Sequence, residues 1–114
     1  MQYQGLAGHL SPSQEEYKDQ KMYKKLELDD LLASLTGWQA VEGREAIIKK
    51  FTFKNFNQAF NVMTKIAGKA DLMDHHPEWF NVYNRLEVTL TTHDAGGVTS
   101  YDQELANFID EASL

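Results

Sequence analysis

Apolar residues recur along this chain at two different spacings, and the changes of spacing divide it into elements. Leu28, Leu31, Leu32 and Leu35 stand three and four apart, which predicts a helical stripe, and Thr36-Gly37 predicts its end. Trp38-Gln39-Ala40-Val41 then reads as a short strand, Glu42-Gly43-Arg44 as a turn, and residues 46–53 as a second strand built on Ile47, Ile48, Phe51 and Phe53. Asn55 is the expected N-cap of the strongest helical pattern in the chain. There Phe56, Ala59, Phe60, Met63, Ile66, Ala67 and Ala70 recur over four turns, as a face that packs on a sheet.

A hairpin is predicted next. Residues 79–83 are aromatic and β-branched, and residues 86–92 alternate Leu86, Val88, Leu90 with Glu87, Thr89, Thr91. Asn84-Arg85 lies between the two runs, and asparagine tolerates the left-handed backbone of a tight turn. A turn centred on that pair sets Tyr83 opposite Leu86 and His76 opposite His93. A three-residue loop of Tyr83-Asn84-Arg85 instead sets Val82 opposite Leu86 and His75 opposite His93. Either register brings His93 to the His-His pair, and both stay open at this point. Ala95-Gly96-Gly97 then breaks the chain, and Thr99 with Asp102 predicts a capped final helix carrying Tyr101, Leu105, Phe108, Ile109 and Ala112.

The order helix, two strands, helix, two strands, helix predicts an α+β fold: a four-stranded antiparallel sheet with helices packed on one face. The other face is expected to show Glu87, Thr89 and Thr91, with Trp79 as a further candidate. Before this lies an arm, residues 1–22, polar and glycine-containing at its start; Ser13-Gln14-Glu15-Glu16 within it resembles a capping box, and His9 goes with the tail. Residues 23–114 form the single domain, with no internal repeat.

Composition narrows the functional classes. The chain of 114 residues suits one domain and contains no cysteine, which excludes disulfides, thiolate metal sites and a cysteine nucleophile. Seventeen acidic against eleven basic residues give a net charge of −6, which opposes direct binding to nucleic acid. No run of 18 apolar residues and no leader pattern is read, so the expectation is a protein free of the membrane, in the cytoplasm.

Three of the four histidines fall in Asp74-His75-His76-Pro77 and at His93. Imidazole exchanges protons near neutral pH, so two or three around one pocket can deprotonate a substrate at one atom and protonate its leaving group at another. Asp71 and Asp74 are placed to orient imidazoles or to meet a polar ligand, and Trp79 or Trp38 offers a flat ligand a stacking surface. Competing readings exist: His-His-Pro as a plain loop, Asp102 as a helix N-terminal carboxylate, and the three histidines as zinc ligands, although the spacing lacks a zinc signature.

Asp74-His75-His76-Pro77-Glu78-Trp79-Phe80-Asn81-Val82-Tyr83-Asn84 and Leu90-Thr91-Thr92-His93 resemble the pterin-4a-carbinolamine dehydratase family, also known as the dimerization cofactor of hepatocyte nuclear factor homeodomain activators. The likeness continues through Gly37-Trp38, Glu42-Gly43-Arg44-Glu45-Ala46-Ile47, Phe53-Lys54-Asn55-Phe56-Asn57, Asp102 and Leu105-Ala106. It implies an enzyme that removes water from 4a-hydroxytetrahydrobiopterin to give quinonoid dihydrobiopterin, with no cofactor and no metal. His75, His76 and His93 are then the catalytic histidines, His75 and His93 as the proton-transfer pair and His76 mainly holding the pterin. Asp71, Asp102 and Trp38 match family positions around the pterin, and Asp74, Trp79 and Thr91 join them as candidate substrate-binding residues. Asp71 is one methylene shorter than the glutamate expected there, Tyr101 stands where relatives often carry a basic residue, and Ala95 where vertebrate forms carry cysteine. The family also implies a homotetramer, a dimer of dimers. Its non-enzymatic alternative is a coactivator that engages a homeodomain activator through the outer surface of the 56–70 helix, Val62 included, with the nucleus as a second compartment.

Overall fold

The computed structural model describes residues 22–114. It contains helix α1 (Leu28–Ala33), strands β1 (Gln39–Ala40) and β2 (Ile47–Thr52), helix α2 (Phe56–Met73), strands β3 (Glu78–Val82) and β4 (Arg85–Leu90), a short 3₁₀ turn (His93–Ala95) and helix α3 (Ser100–Ala112). The expected capping box and N-cap of the 13–16 stretch, and His9, lie outside the described residues.

The strands form one antiparallel sheet in the order β1-β2-β4-β3. The predicted α+β architecture therefore holds. Leu86, Val88 and Leu90 point from β4 into the core, where they meet Ile47 of β2, Ala59, Val62 and Ile66 of α2, and Leu105 and Ile109 of α3. Each fully buried Leu or Ile contributes roughly 1.5–3 kcal/mol, so this layer between sheet and helices carries much of the stability.

Three expectations need correction. α1 ends at Ala33 with Ser34 as its cap, before Thr36-Gly37, and Gly37 (φ 84°) instead turns the chain into β1. On α2 the buried stripe is Ala59, Val62, Ile66 and Ala70, so Val62 belongs to the core and not to the outer surface, while Phe56, Phe60 and Ala67 are exposed. The hairpin takes neither expected register. Val82 pairs with Arg85 and Trp79 with Val88, leaving Tyr83-Asn84 as a two-residue turn in which Tyr83 has φ 50°.

Asn84 explains that register. Its carbonyl accepts from the Phe53 N–H at 2.7 Å and its side-chain amide donates to the Phe53 carbonyl at 2.9 Å, so it continues the β2–β4 ladder one residue beyond Thr52↔Arg85. Asn81 fastens the other side, donating to the carbonyls of Tyr83 and Arg85. A one-residue slip exchanges the faces of β3. Trp79 accordingly shares the core-facing side with Val88, and Phe80, paired with Glu87, stands on the open face with Lys50 and Thr52.

Candidate active site

Helix α2 delivers the histidine pair. Its cap, Asp74, adopts the left-handed conformation (φ 51°, ψ 45°), and the His75 N–H closes back on the Ala70 carbonyl at 3.0 Å. That reversal turns His75 toward the N-terminus of α3. There Asp102 is fully buried at the third helical position, with Thr99 as N-cap in a capping box. The Asp102 carboxylate has a different task at each oxygen: Oδ2 accepts from the Thr99 N–H at 2.8 Å and from the Thr92 hydroxyl at 2.7 Å, and Oδ1 meets His75 Nε2 at 2.7 Å.

The tautomer follows from this donor count. A carboxylate that accepts from Thr92 and Thr99 presents Oδ1 as a further acceptor, so His75 Nε2–H donates to it. Nδ1 is then the position at which the ring takes up a proton. The Thr92 hydrogen being spent on Asp102, the 2.8 Å contact between the Thr92 and Thr99 hydroxyls is donated by Thr99. His75 is thus a held ring, its side chain only 10% exposed.

The other two histidines are looser. His76 Nε2 lies 2.9 Å from Asp71 Oδ1 on the last turn of α2, with both side chains exposed. His93 opens the 3₁₀ turn after β4. That turn is closed by Gly96 (φ 68°) and by the Thr92 N–H donating to the Gly97 carbonyl at 2.8 Å. The His93 ring is 79% exposed and its Nε2 stands 3.6 Å from Glu78 Oε2.

Asp74, His75, His76, Thr91, Thr92, His93, Asp94 and Tyr101 line one open cleft of about 260 Å³, near the lower end of small-molecule sites. Three imidazoles from two segments therefore share a solvent-reached space with two carboxylates, Asp74 and Asp94. Among the described residues no group of three His, Asp or Glu side chains is arranged to hold a metal ion.

The structure brings together most, not all, of the expected residues. Thr91 lines the cleft and donates its hydroxyl to the Glu45 carbonyl at 2.8 Å, which ties the end of β4 to the β1–β2 turn. Asp102 and Asp71 stand behind His75 and His76 as partners. Trp38 is buried in the core against Phe51, and its indole N–H donates to Asp110 at 3.1 Å, so it does not line the cleft. Lys49 shares that carboxylate at 2.8 Å, which makes Trp38 part of a bracket between β2 and α3. Trp79 lines a separate shallow depression with Glu78, Phe80, Glu87 and Thr89.

Tyr101, Thr92 and Asp94 line the cleft, and Glu78 and Arg44 stand at its rim, without having been expected there from the sequence. The Tyr101 ring lies 5.6 Å from that of His75, and its hydroxyl accepts from the Met22 N–H at 3.1 Å. Residues 22–26 run along the loop into α3, with Leu26 N–H donating to Val98 and Ser100 N–H to Lys24, so this segment buttresses the cleft wall. Tyr101 had a signal in its place beside Asp102. Thr92 had none, because a threonine that ends a strand does not reveal its burial.

One end of the sheet thus gathers three histidines, each near a carboxylate, around a small open cleft, an arrangement of groups that exchange protons near neutral pH. The pterin 4 alpha carbinolamine dehydratase family model matches residues 21–112, and the chain belongs to that family. A curated relative in Paraburkholderia xenovorans (strain LB400), named "Putative pterin-4-alpha-carbinolamine dehydratase", is 60% identical over 79 residues, 69% of this chain and 82% of the relative. The crystal structure of a transcriptional coactivator/pterin dehydratase from Brucella melitensis is similar with a TM-score of 0.76 and 45% identity, over 80% of this chain and 99% of that one. A pterin dehydratase-like protein identified as a RuBisCO assembly factor in the alpha-carboxysome shares the fold alone, with a TM-score of 0.59 and 17% identity over 68% of this chain and 89% of its own.

Proposed function

We propose that this dehydratase converts 4a-hydroxytetrahydrobiopterin to quinonoid dihydrobiopterin and water, serving tetrahydrobiopterin recycling, and that His75 and His93 carry its two proton transfers. One ring protonates the 4a-hydroxyl, whose C–O bond breaks as water leaves. The other takes the proton from the neighbouring ring nitrogen, and the freed electron pair closes the C=N bond. His76, steadied by Asp71, binds the pterin.

The observation that carries the reading is the arrival of His75 and His93 in one cleft from the two strands at the open end of the hairpin, with the His75 ring held by buried Asp102. His75 is held and His93 is exposed, and two imidazoles within reach of one ligand can act as its acid and its base. The test follows the ultraviolet absorbance of freshly formed 4a-hydroxytetrahydropterin with wild type, His75→Ala and His93→Ala. Losses of roughly 10²- to 10⁴-fold are expected for each variant, and the rate of wild type is expected to survive exhaustive chelation. Equal rates in all three proteins would remove the assignment.

A second reading, assembly, is supported by a different observation. Phe56 and Phe60 stack on the exposed side of α2 with ring centroids 5.7 Å apart, and Phe80 and Val82 are exposed on the edge strand β3. Buried apolar area is what a homotetramer, or a homeodomain activator in its place, would gain from these faces. Phe60→Glu is expected to lower the oligomeric state in sedimentation, and an unchanged distribution would exclude that helix face.

A further inference from the structure

The rim of the cleft carries a charge pair to which the proton-transfer assignment gives no part. Arg44, in the turn between β1 and β2, forks onto Glu78: Nη1 donates to Oε1 at 2.9 Å and Nη2 to Oε2 at 2.8 Å. Glu78 opens β3, directly after Pro77. The sheet order keeps β2 and β3 apart, with β4 between them, so the pair spans the end of β4 just where His93 leaves it. His93 Nε2 lies 3.6 Å from Glu78 Oε2, the oxygen that Arg44 Nη2 already occupies. One carboxylate oxygen faces a guanidinium on one side and an imidazole on the other.

We propose that Arg44 and Glu78 are a positioning pair for His93: Glu78 attracts the exposed ring toward one side of the cleft, and Arg44 fixes where that carboxylate points and how much of its charge the ring meets. The inference rests on the dehydratase reading and adds to it two residues that act through a proton-transfer group. His93 needs such a hold. It opens a three-residue turn and is largely exposed, whereas His75 is gripped at 2.7 Å by a buried carboxylate. A 3.6 Å separation is too long for a hydrogen bond and fits an ion pair with a ring free to swing. The two-pronged guanidinium contact, by contrast, has a fixed geometry and pins the carboxylate.

Other charges face the same ring. Asp94 follows it in the turn, Asp74, His75, His76 and Tyr101 come from the opposite wall, and Lys25 Nζ donates to the Ala95 carbonyl at 2.8 Å on the turn's far end. These stay in place in the variants below. Arg44 holds the Glu78 carboxyl below the usual carboxylate range, first through its hydrogen bonds; burial opposes this, and the charge of Arg44 and, least of all, that of His93 add to the lowering. Glu78 is therefore an anion throughout the neutral range in which imidazoles exchange protons.

Opposite charges predict opposite signs. Arg44→Gln leaves an unopposed carboxylate beside His93, and Glu78→Gln leaves an unopposed guanidinium. The pH profile of kcat is expected to move toward higher pH in the first and toward lower pH in the second, while kcat at the wild-type optimum falls about 2- to 5-fold, the range of an exposed ion pair, and KM stays nearly constant. A pair that only braces the sheet would slow both variants alike without moving the profile, and that result overturns the proposal. A readout without substrate separates this from the functional reading: the Glu78 carboxyl ¹³C shift followed through acid pH in wild type, Arg44→Gln and His93→Gln. Coupling is reciprocal, so the Glu78 titration is expected to rise in both variants, more in Arg44→Gln. Loss of the carbinolamine activity in wild type would end the functional reading and leave the carboxyl titration to decide alone; there, an unchanged Glu78 curve in His93→Gln overturns the pairing.

Discussion

Asp102→Asn separates the two tasks of the buried carboxylate. The amide is nearly isosteric, and its one oxygen can keep accepting from the Thr92 hydroxyl and the Thr99 N–H, the two contacts now made by Oδ2. Its NH₂ group then faces His75 Nε2, where Oδ1 now accepts at 2.7 Å. Two donors cannot share that contact, so the ring must give up its Nε2 proton and carry it on Nδ1. The site would keep its shape and present the wrong nitrogen. Exchanging one charged hydrogen-bond partner for a neutral one costs about 1–2 kcal/mol of stability, and about 4–8 °C of Tm per kcal/mol is expected for a domain of this size. Misplacing the proton costs far more in rate, on the order of 10²- to 10⁴-fold in kcat, because a ring that carries its proton on the wrong nitrogen cannot exchange it with the ligand. Asp102→Ala is the contrast. It orphans the Thr99 and Thr92 donors at about 1–3 kcal/mol each and should melt much earlier. Calorimetry beside steady-state kinetics reads both effects, and an Asn variant with wild-type kcat would refute the idea that Asp102 sets the His75 tautomer.

Three further outcomes follow from the same geometry. Trp38→Phe removes the indole donor to Asp110 and is expected to cost about 1 kcal/mol in denaturant unfolding with KM and kcat unchanged; a raised KM would return Trp38 to the pterin site. Tyr83→Gly relieves a non-glycine residue at φ 50° and should stabilise the hairpin by roughly 0.5–1 kcal/mol, seen as a higher Tm. Because Arg44 lowers the Glu78 carboxyl, the pair's contribution is complete above the ordinary carboxylate range and disappears as pH falls through the lowered value, so the Tm gap between wild type and Arg44→Gln should close on acidification. A gap that widens in acid would contradict the pairing.

The architecture was legible because spacing alone separates strands from helices here, and the Asn55 and Thr99 caps stand where side-chain chemistry demands them. The hairpin register was not. Asparagine is the residue that a turn rule selects, but Asn84 serves as the second turn residue and as a continuation of β2, and an aromatic residue, Tyr83, takes the left-handed position. Tertiary hydrogen bonding to Phe53 overrode the local preference. The convergence of His93 on the histidine pair survived that error because the chain leaves the ladder at both ends, through Pro77 on one side and the 3₁₀ turn on the other. Asp102 caps α3 as its helix-terminal reading expects, and its other oxygen meets His75, a contact that no local pattern reveals. Trp38 went astray because a likeness in sequence carries a residue's position along the chain and not the partner its indole finds, and the partner here, Asp110, is a carboxylate of α3 that no local pattern connects to it. Glu78 and Arg44 were hidden for a similar reason: they are 34 positions apart and meet only by reaching across the end of β4, which lies between β2 and β3.

The claim on which the rest depends is that one bicyclic ligand reaches all three imidazoles at once. Long-range ¹H–¹⁵N spectra of the histidine rings, recorded while a stable dihydropterin is added to wild type, test it directly. His75, His76 and His93 are expected to shift together with a single saturation point and the Trp38 indole to stay in place; a ligand that saturates while leaving the His75 and His93 rings unmoved would contradict the account.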